Sequence, residues 1–476
     1  MGTDVPFRLR QFGGWAIAAF CGVAVTVLGL AAIGGPAVWG AVGFAAVVLL
    51  LALRPGTSLS RLALMLVGAY TMVGTSSGLQ ISEVVYGLLM VAYLGGWYLS
   101  RWLQSRPLIV SSTDMAMALW LTVGVGGAAC LGLVFGARPT SYVQEILGMI
   151  TMYYYFPAKE ACAESERGLW VVVSSFLALG AYATINGAIR LRSAIASADL
   201  VYEIADARFV AGESFMALGI LLGLGLSVGA RTWRGRGVAL VVTSIVLGGL
   251  VLTRTRSFWI STLLGLAVML LVATSEERRR TVLFLGIGSA VLLGIAAIQF
   301  REQLMFLIAG TVGRFASLDG AAGSDLSLLG RFAEYKALFD KISLNPILGY
   351  GWGVPYSHFT PLNNTTRTWS FSHNGWLYIW YKTGLWGLAI MGFAWLSAVA
   401  SSVKSSRASW MPPAQRALGS AIAGGIVTYL IALNAANPFF GQDTVLAVAL
   451  TLAMASGLGQ RRRALHVTAL SGRLAS

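Results

Sequence analysis

The chain has 476 residues, of which 57% are hydrophobic and only 11% charged, with a mean hydropathy of +0.73. This excludes an ordinary water-soluble domain and suits hydrocarbon as solvent, where about 20 apolar residues make one spanning helix. A formal net charge of +15 alone would fit nucleic acid, but the basic residues lie in short connections between apolar runs and exclude that partner.

In chain order, apolar runs fall near 14–34, 37–53, 62–76, 82–99, 114–136, 143–157, 168–186, 209–229, 237–253, 257–274, 281–299, 374–400, 414–433 and 440–458. The sequence therefore predicts an all-α polytopic membrane protein of about 12–14 transmembrane helices. Its parts are N-terminal helices over 1–299, a large loop over 300–373, C-terminal helices over 374–460 and a disordered tail over 461–476. The first run follows Arg8 and Arg10 and reads as a span, not a cleaved signal. Cys21, Cys130 and Cys162 fall in or near apolar runs, so no disulfide framework is expected.

"RTWRGR" (231–236), "EERRR" (276–280), "KSSR" (404–407) and "QRRR" (460–463) occupy alternate connections, with Arg54, Arg61, Arg101 and Arg106. Short loops rich in Lys and Arg stay cytoplasmic, which puts both termini inside. On this topology the outer side holds Arg138, Arg190, Arg192, Arg208, Arg254, Arg256, Arg301, Arg314, Arg331, Lys336, Lys341, Arg367 and Lys382. An unpaired guanidinium at a helix mouth costs about 2.5–3.5 kcal/mol even on the lenient insertion scale, so something anionic is expected to compensate these residues.

Two outer connections are long. The first, 187–208, carries Arg190 and Arg192 and ends at Arg208, the mouth of a span that contains Glu213. An intramembrane carboxylate marks either a functional site or an arginine's structural partner. The hairpin "LTRTRSFW" (252–259) presents Arg254 and Arg256, which either snorkel to lipid phosphate or bind a ligand. The second, 300–373, contains "LLGRFAEYKALFDKISLNPILGYGWG", read as an amphipathic helix with Phe332, Tyr335, Leu338 and Phe339 on one face. Asn345–Pro346 ends it, and Gly349, Gly351 and Gly353 allow tight turns.

That loop re-enters the membrane at "HNGWLYIWYKTG" (373–384). His373 suits a general base because imidazole titrates near neutral pH. Asn374 either caps the helix or orients a ligand, and Trp369 and Trp376 are close enough in sequence to stack on a sugar. His358 lacks the adjoining Asn and the helix mouth. Three elements thus direct the four arginines Arg208, Arg254, Arg256 and Arg331 toward the level of His373, and guanidinium matches phosphate bidentately. Asp199, Glu203 and Asp206 lack metal-ligand spacing. A transporter or lipid-linked-oligosaccharide flippase is the competing class, but no internal repeat of the His373 region is visible.

The segment 373–384 resembles the O-antigen ligase and O-antigen polymerase superfamily, whose His-Asn, nine residues, Gly pattern is met by His373, Asn374 and Gly384. "GRFAEYKALF…NPILGYGWG" and "RTRSFW" support it, and the likeness runs from about 190 to 435. The resemblance implies a GT-C-like, metal-independent glycosyltransferase of the bacterial inner membrane with no cofactor. The glycan would pass from undecaprenyl diphosphate to lipid A–core or to a growing polysaccharide at the periplasmic face. His373 would act on the acceptor hydroxyl, with Arg208 and Arg256 at the leaving diphosphate. Arg254, Arg331, Asn374, Arg190, Trp376 and Glu213 would line the substrates. Ligase is preferred over polymerase on the closeness of the motif.

Overall fold

The computed structural model describes residues 59–72, 81–197, 212–253, 255–299, 326–360 and 364–475. The helices are α1 (Leu59–Gly68), α2 (Ile81–Leu103), α3 (Ser112–Val134), α4 (Pro139–Ile150), α5 (Tyr155–Glu164) and α6 (Glu166–Ser197). They continue as α7 (Glu213–Gly229), α8 (Trp233–Leu252), α9 (Arg256–Val272), α10 (Ser275–Gln299), α11 (Leu326–Leu344), α12 (Gly375–Ser406), α13 (Pro413–Ala432) and α14 (Gln442–Ala475). A hairpin of β1 (Tyr356–Thr360) and β2 (Thr365–Trp369) precedes α12, with Tyr356 opposite Trp369.

Among the described residues each apolar run from 82 onward falls mainly on helix, and the protein is an all-α polytopic membrane protein. Among the described residues α3, α8, α12 and most of α6 and α14 are long and apolar enough to cross a membrane. The runs at 14–34 and 37–53 lie outside those residues. Two expectations change. The outer connection at 187–208 begins only after α6 has continued to Ser197, and the tail expected to be disordered continues α14 to Ala475. The run at 143–157 is α4 and α5 joined through a 3₁₀ turn at Thr151–Tyr154.

The bundle sorts its charge by end. One end holds Arg101, Arg106, the 231–236 and 276–280 clusters, Lys404, Arg407 and Arg461. It is tied by Arg416–Glu277 at 3.5 Å, Arg461–Glu166 at 3.8 Å and Arg101–Glu160. The other end carries Arg256, α11, the hairpin and His373. The core between them is continuous, with α7, α13 and α14 supplying many of its fully buried residues.

The segment 346–354 straps the two halves of the chain together. Tyr350 and Gly351 donate backbone bonds to the Tyr381 and Lys382 carbonyls on α12, at 2.8 and 2.9 Å. Those carbonyls are accessible because Gly384 leaves helical geometry (φ 68°, ψ −175°) and kinks α12. On the opposite side Trp352 donates from its backbone to Ala128 and from its indole to Gly124 and Val125, where α3 widens into a π-helical stretch. Gly351 has φ of 87° and lies against the backbone of Gly132, leaving no volume for a Cβ. Gly351→Ala should therefore lower stability by about 1–3 kcal/mol from left-handed backbone strain alone, with the clash in addition. The unfolding midpoint of the detergent-solubilised chain measures it.

Candidate active site

α11 lies outside the bundle and buries Glu334, Leu338 and Ile342, one residue per turn at i, i+4 and i+8. The aromatic face expected at Phe332 and Phe339 points outward, 59% and 51% exposed. The stripe turns inward at Glu334 because a small separate core forms there from Leu338, Ile342, Tyr350, Val354, Tyr356 and Tyr381.

Glu334 is 2% exposed and clamps His373 with both carboxylate oxygens. The His373 backbone N–H donates to Oε1 at 2.8 Å, and the ring Nδ1 lies 2.7 Å from Oε2. Burial raises the glutamate's pKa, but the bond from the His373 ring, that ring's charge and the bond from the His373 backbone N–H outweigh it and hold it below the usual range. An ionised carboxylate only accepts, so Nδ1 carries the proton and Nε2 is left as the basic nitrogen. Because the glutamate's pKa is depressed, the clamp stabilises the fold above the ordinary carboxylate range and weakens as pH falls through the lowered value. The His373 side chain is 34% exposed, and among the described residues no protein group bonds Nε2. Phe371 packs edge-on at 4.8 Å and Trp369 at 6.1 Å, fixing the ring plane.

The turn between α13 and α14 holds this group from below. Gly375 N–H donates to Leu433 O at 2.8 Å, Asn437 to Ser372 O at 2.9 Å, and Phe440 packs on Phe371 at 4.6 Å. Arg331, one turn before Glu334, reaches Ala435 O at 3.5 Å. Asn374 caps α12: its Oδ1 accepts from Leu377 N–H at 3.0 Å. Trp376 is half-buried against the main core.

A second polar group forms where α7 and α9 begin at the same end of the bundle. Thr255 donates to Glu213 Oε1 at 3.0 Å, and the half-buried Arg256 opens α9. Arg190 is exposed near the end of α6. Arg208 and Arg254 lie outside the described residues. No hydrogen bond or ion pair among the described residues joins this group directly to His373; the α13–α14 turn lies between them in sequence and packing.

Two of the basic residues expected on the outer side are engaged by the protein's own groups. Lys382, fully buried, pairs with Glu145 at 3.0 Å and donates to Val354 O. Arg138 donates to Thr368 O. His358 is 5% exposed inside the hairpin, stacked between Tyr356 and Trp369, which leaves it no access to a substrate. Sequence reasoning missed Glu334. The available signal was a glutamate in register with Leu338 and Ile342 on a helix whose other face is crowded with aromatics.

No curated protein matches the chain. Residues 239–392 match the family model described as O-antigen ligase. The matched span begins within α8 and closes after the Gly384 kink, so it takes in α11, the strap, the hairpin and the helix mouth that delivers His373. The match supports a relationship to the O-antigen ligase superfamily over about a third of the chain.

Proposed function

We propose that the protein transfers a glycan from undecaprenyl diphosphate to an acceptor hydroxyl, as an O-antigen ligase acting on lipid A–core at the periplasmic face of the inner membrane. The bundle end rich in short basic connections is then cytoplasmic, in keeping with the bias of such loops. The observation that carries the proposal is the Glu334–His373 clamp, a buried carboxylate that fixes one ring nitrogen and turns the other outward as a base.

In this reading Nε2 takes the acceptor's hydroxyl proton as the oxygen attacks the anomeric carbon. The bond from that carbon to the diphosphate oxygen breaks, and undecaprenyl diphosphate leaves with the bonding electrons. Glu334 stabilises the imidazolium that forms. A positioned base contributes roughly 10²–10⁴-fold to such a step. Arg256, with Arg331, Arg208 and Arg254, would neutralise the leaving diphosphate without a metal. Fixed cations in a water-poor site stabilise developing charge better than water does.

The test is transfer by the purified chain in proteoliposomes, with a polyprenyl-diphosphate glycan as donor and lipid A–core as acceptor. A single glycan joined to lipid A–core is expected, whereas chain extension on the polyprenyl carrier would assign a polymerase. Glu334→Gln should reduce turnover at least about 10²-fold. This is below the roughly 10⁴-fold seen when the orienting aspartate of a serine protease becomes asparagine, because His373 is partly open to solvent. Unchanged turnover in Glu334→Gln would remove the support for the mechanism.

A further inference from the structure

At the bundle end opposite His373, a cleft of about 510 Å³ opens between the end of α12 and α14, lined by Ala400, Val403, Lys404, Arg407, Trp410 and Arg462. Three of these side chains are cationic and none is acidic. No salt bridge neutralises Lys404, Arg407 or Arg462 among the described residues. Lys404 lies in the last turn of α12 and Arg407 caps that helix, and Arg462 reaches the same cleft from α14. Trp410 closes it, donating its indole N–H to Arg462 O at 3.3 Å and stacking on His466 at 4.5 Å.

The rest of the lining is apolar, and it continues. Phe393 (53% exposed), Leu396 (68% exposed), Ala400 and Val403 follow one another at three- and four-residue spacing on a single face of α12. That face runs from the middle of the helix down to the three cations. It matches the two parts of one molecule, an acyl chain along the helix and a phosphate among the cations. A free inorganic anion would use only the second part.

We propose that this cleft binds one anionic phospholipid from the adjoining leaflet. Its phosphate sits among Lys404, Arg407 and Arg462, its glycerol against Trp410, and one acyl chain along Phe393–Val403. Basic pockets between membrane helices bind anionic headgroups by the same combination of charge and apolar wall. The site lies about a bilayer's thickness from His373 along α12, so it is distinct from the transferase centre and does not depend on the reaction proposed for it.

The test is native mass spectrometry of the full chain in detergent titrated with phosphatidylglycerol or phosphatidylcholine. Wild type should retain one phosphatidylglycerol preferentially. Lys404→Gln/Arg407→Gln/Arg462→Gln should weaken that binding on the order of 100-fold, given the contribution of each surface cation. Ala400→Trp, which fills the cleft and leaves the charge intact, should also displace the lipid. Arg278→Gln/Arg279→Gln/Arg280→Gln removes equal charge from the same end and should leave binding unchanged. The proposal is overturned if wild type holds both lipids equally, if the 278–280 variant loses as much binding as the cleft variant, or if millimolar inorganic phosphate alone displaces the lipid.

Discussion

His373→Ala should lower glycan transfer by about 10²–10⁴-fold, the contribution of a positioned base, while donor lipid still binds. The expectation follows from the two-oxygen grip of Glu334, which spends one ring nitrogen on orientation and leaves the other for chemistry. Alanine also strips a partner from a buried carboxylate, so loss of activity alone would not separate chemistry from folding. His373→Asn makes the separation. Its amide nitrogen replaces Nδ1 and can still donate to Glu334, yet it offers no base. Both variants should therefore be inactive, with the asparagine chain unfolding close to the wild-type temperature. Substantial activity in His373→Asn would reduce the histidine to a structural role.

The largest expected effect on stability lies elsewhere. Lys382→Met should destabilise the chain by about 3–5 kcal/mol, the usual result of stripping one partner from a buried ion pair. Lys382 and Glu145 are both fully buried. Glu145 also accepts from Gly353 N–H at 2.6 Å, while the ammonium sits 5.3–5.4 Å from the Tyr378 and Tyr381 ring centres. The cost falls on the strap, since Val354 O and Gly353 N–H are both held by this pair. Lys382→Met combined with Glu145→Gln removes both charges and keeps an acceptor for Gly353, and it should recover most of the loss. Unfolding midpoints of the two variants in detergent measure the difference. A single variant within 1 kcal/mol of wild type would show that water reaches the pair.

Hydropathy made the helices from 82 onward legible, because a span must satisfy its backbone internally and cover it with apolar side chains. The charge-sorted ends were legible for a related reason: short basic loops lie at one face. His373 could be singled out because histidine is rare in this chain and stands at a helix mouth. What stayed hidden depends on contacts between segments far apart in sequence. Glu334 meets His373 across 39 residues and Glu145 meets Lys382 across 237, and neither pair leaves a local pattern. The turned face of α11 was misread because its aromatic residues outweigh two aliphatics and a glutamate in any local count. Yet burial is decided by what the helix lands on. The hairpin at 356–369 was missed since "YSHFT" and "TTRTW" have too few apolar positions to announce strands. Gly384 was visible as a motif position, but its positive φ, and the two carbonyls it turns toward the strap, became visible only in the fold.

The small apolar cluster around Leu338 and Tyr356 is a cluster of its own, joined to the main core through α12, Ala137 and the strap, whose Trp352 enters the main core between Tyr350 and Val354. Exposed residues of α11 and the hairpin can therefore vary without repacking the membrane helices, provided the strap, the glycine contacts and the glutamate grip persist. On the proposed function, such a cap is where the surface that meets the acceptor can be redecorated while the helices beneath stay packed.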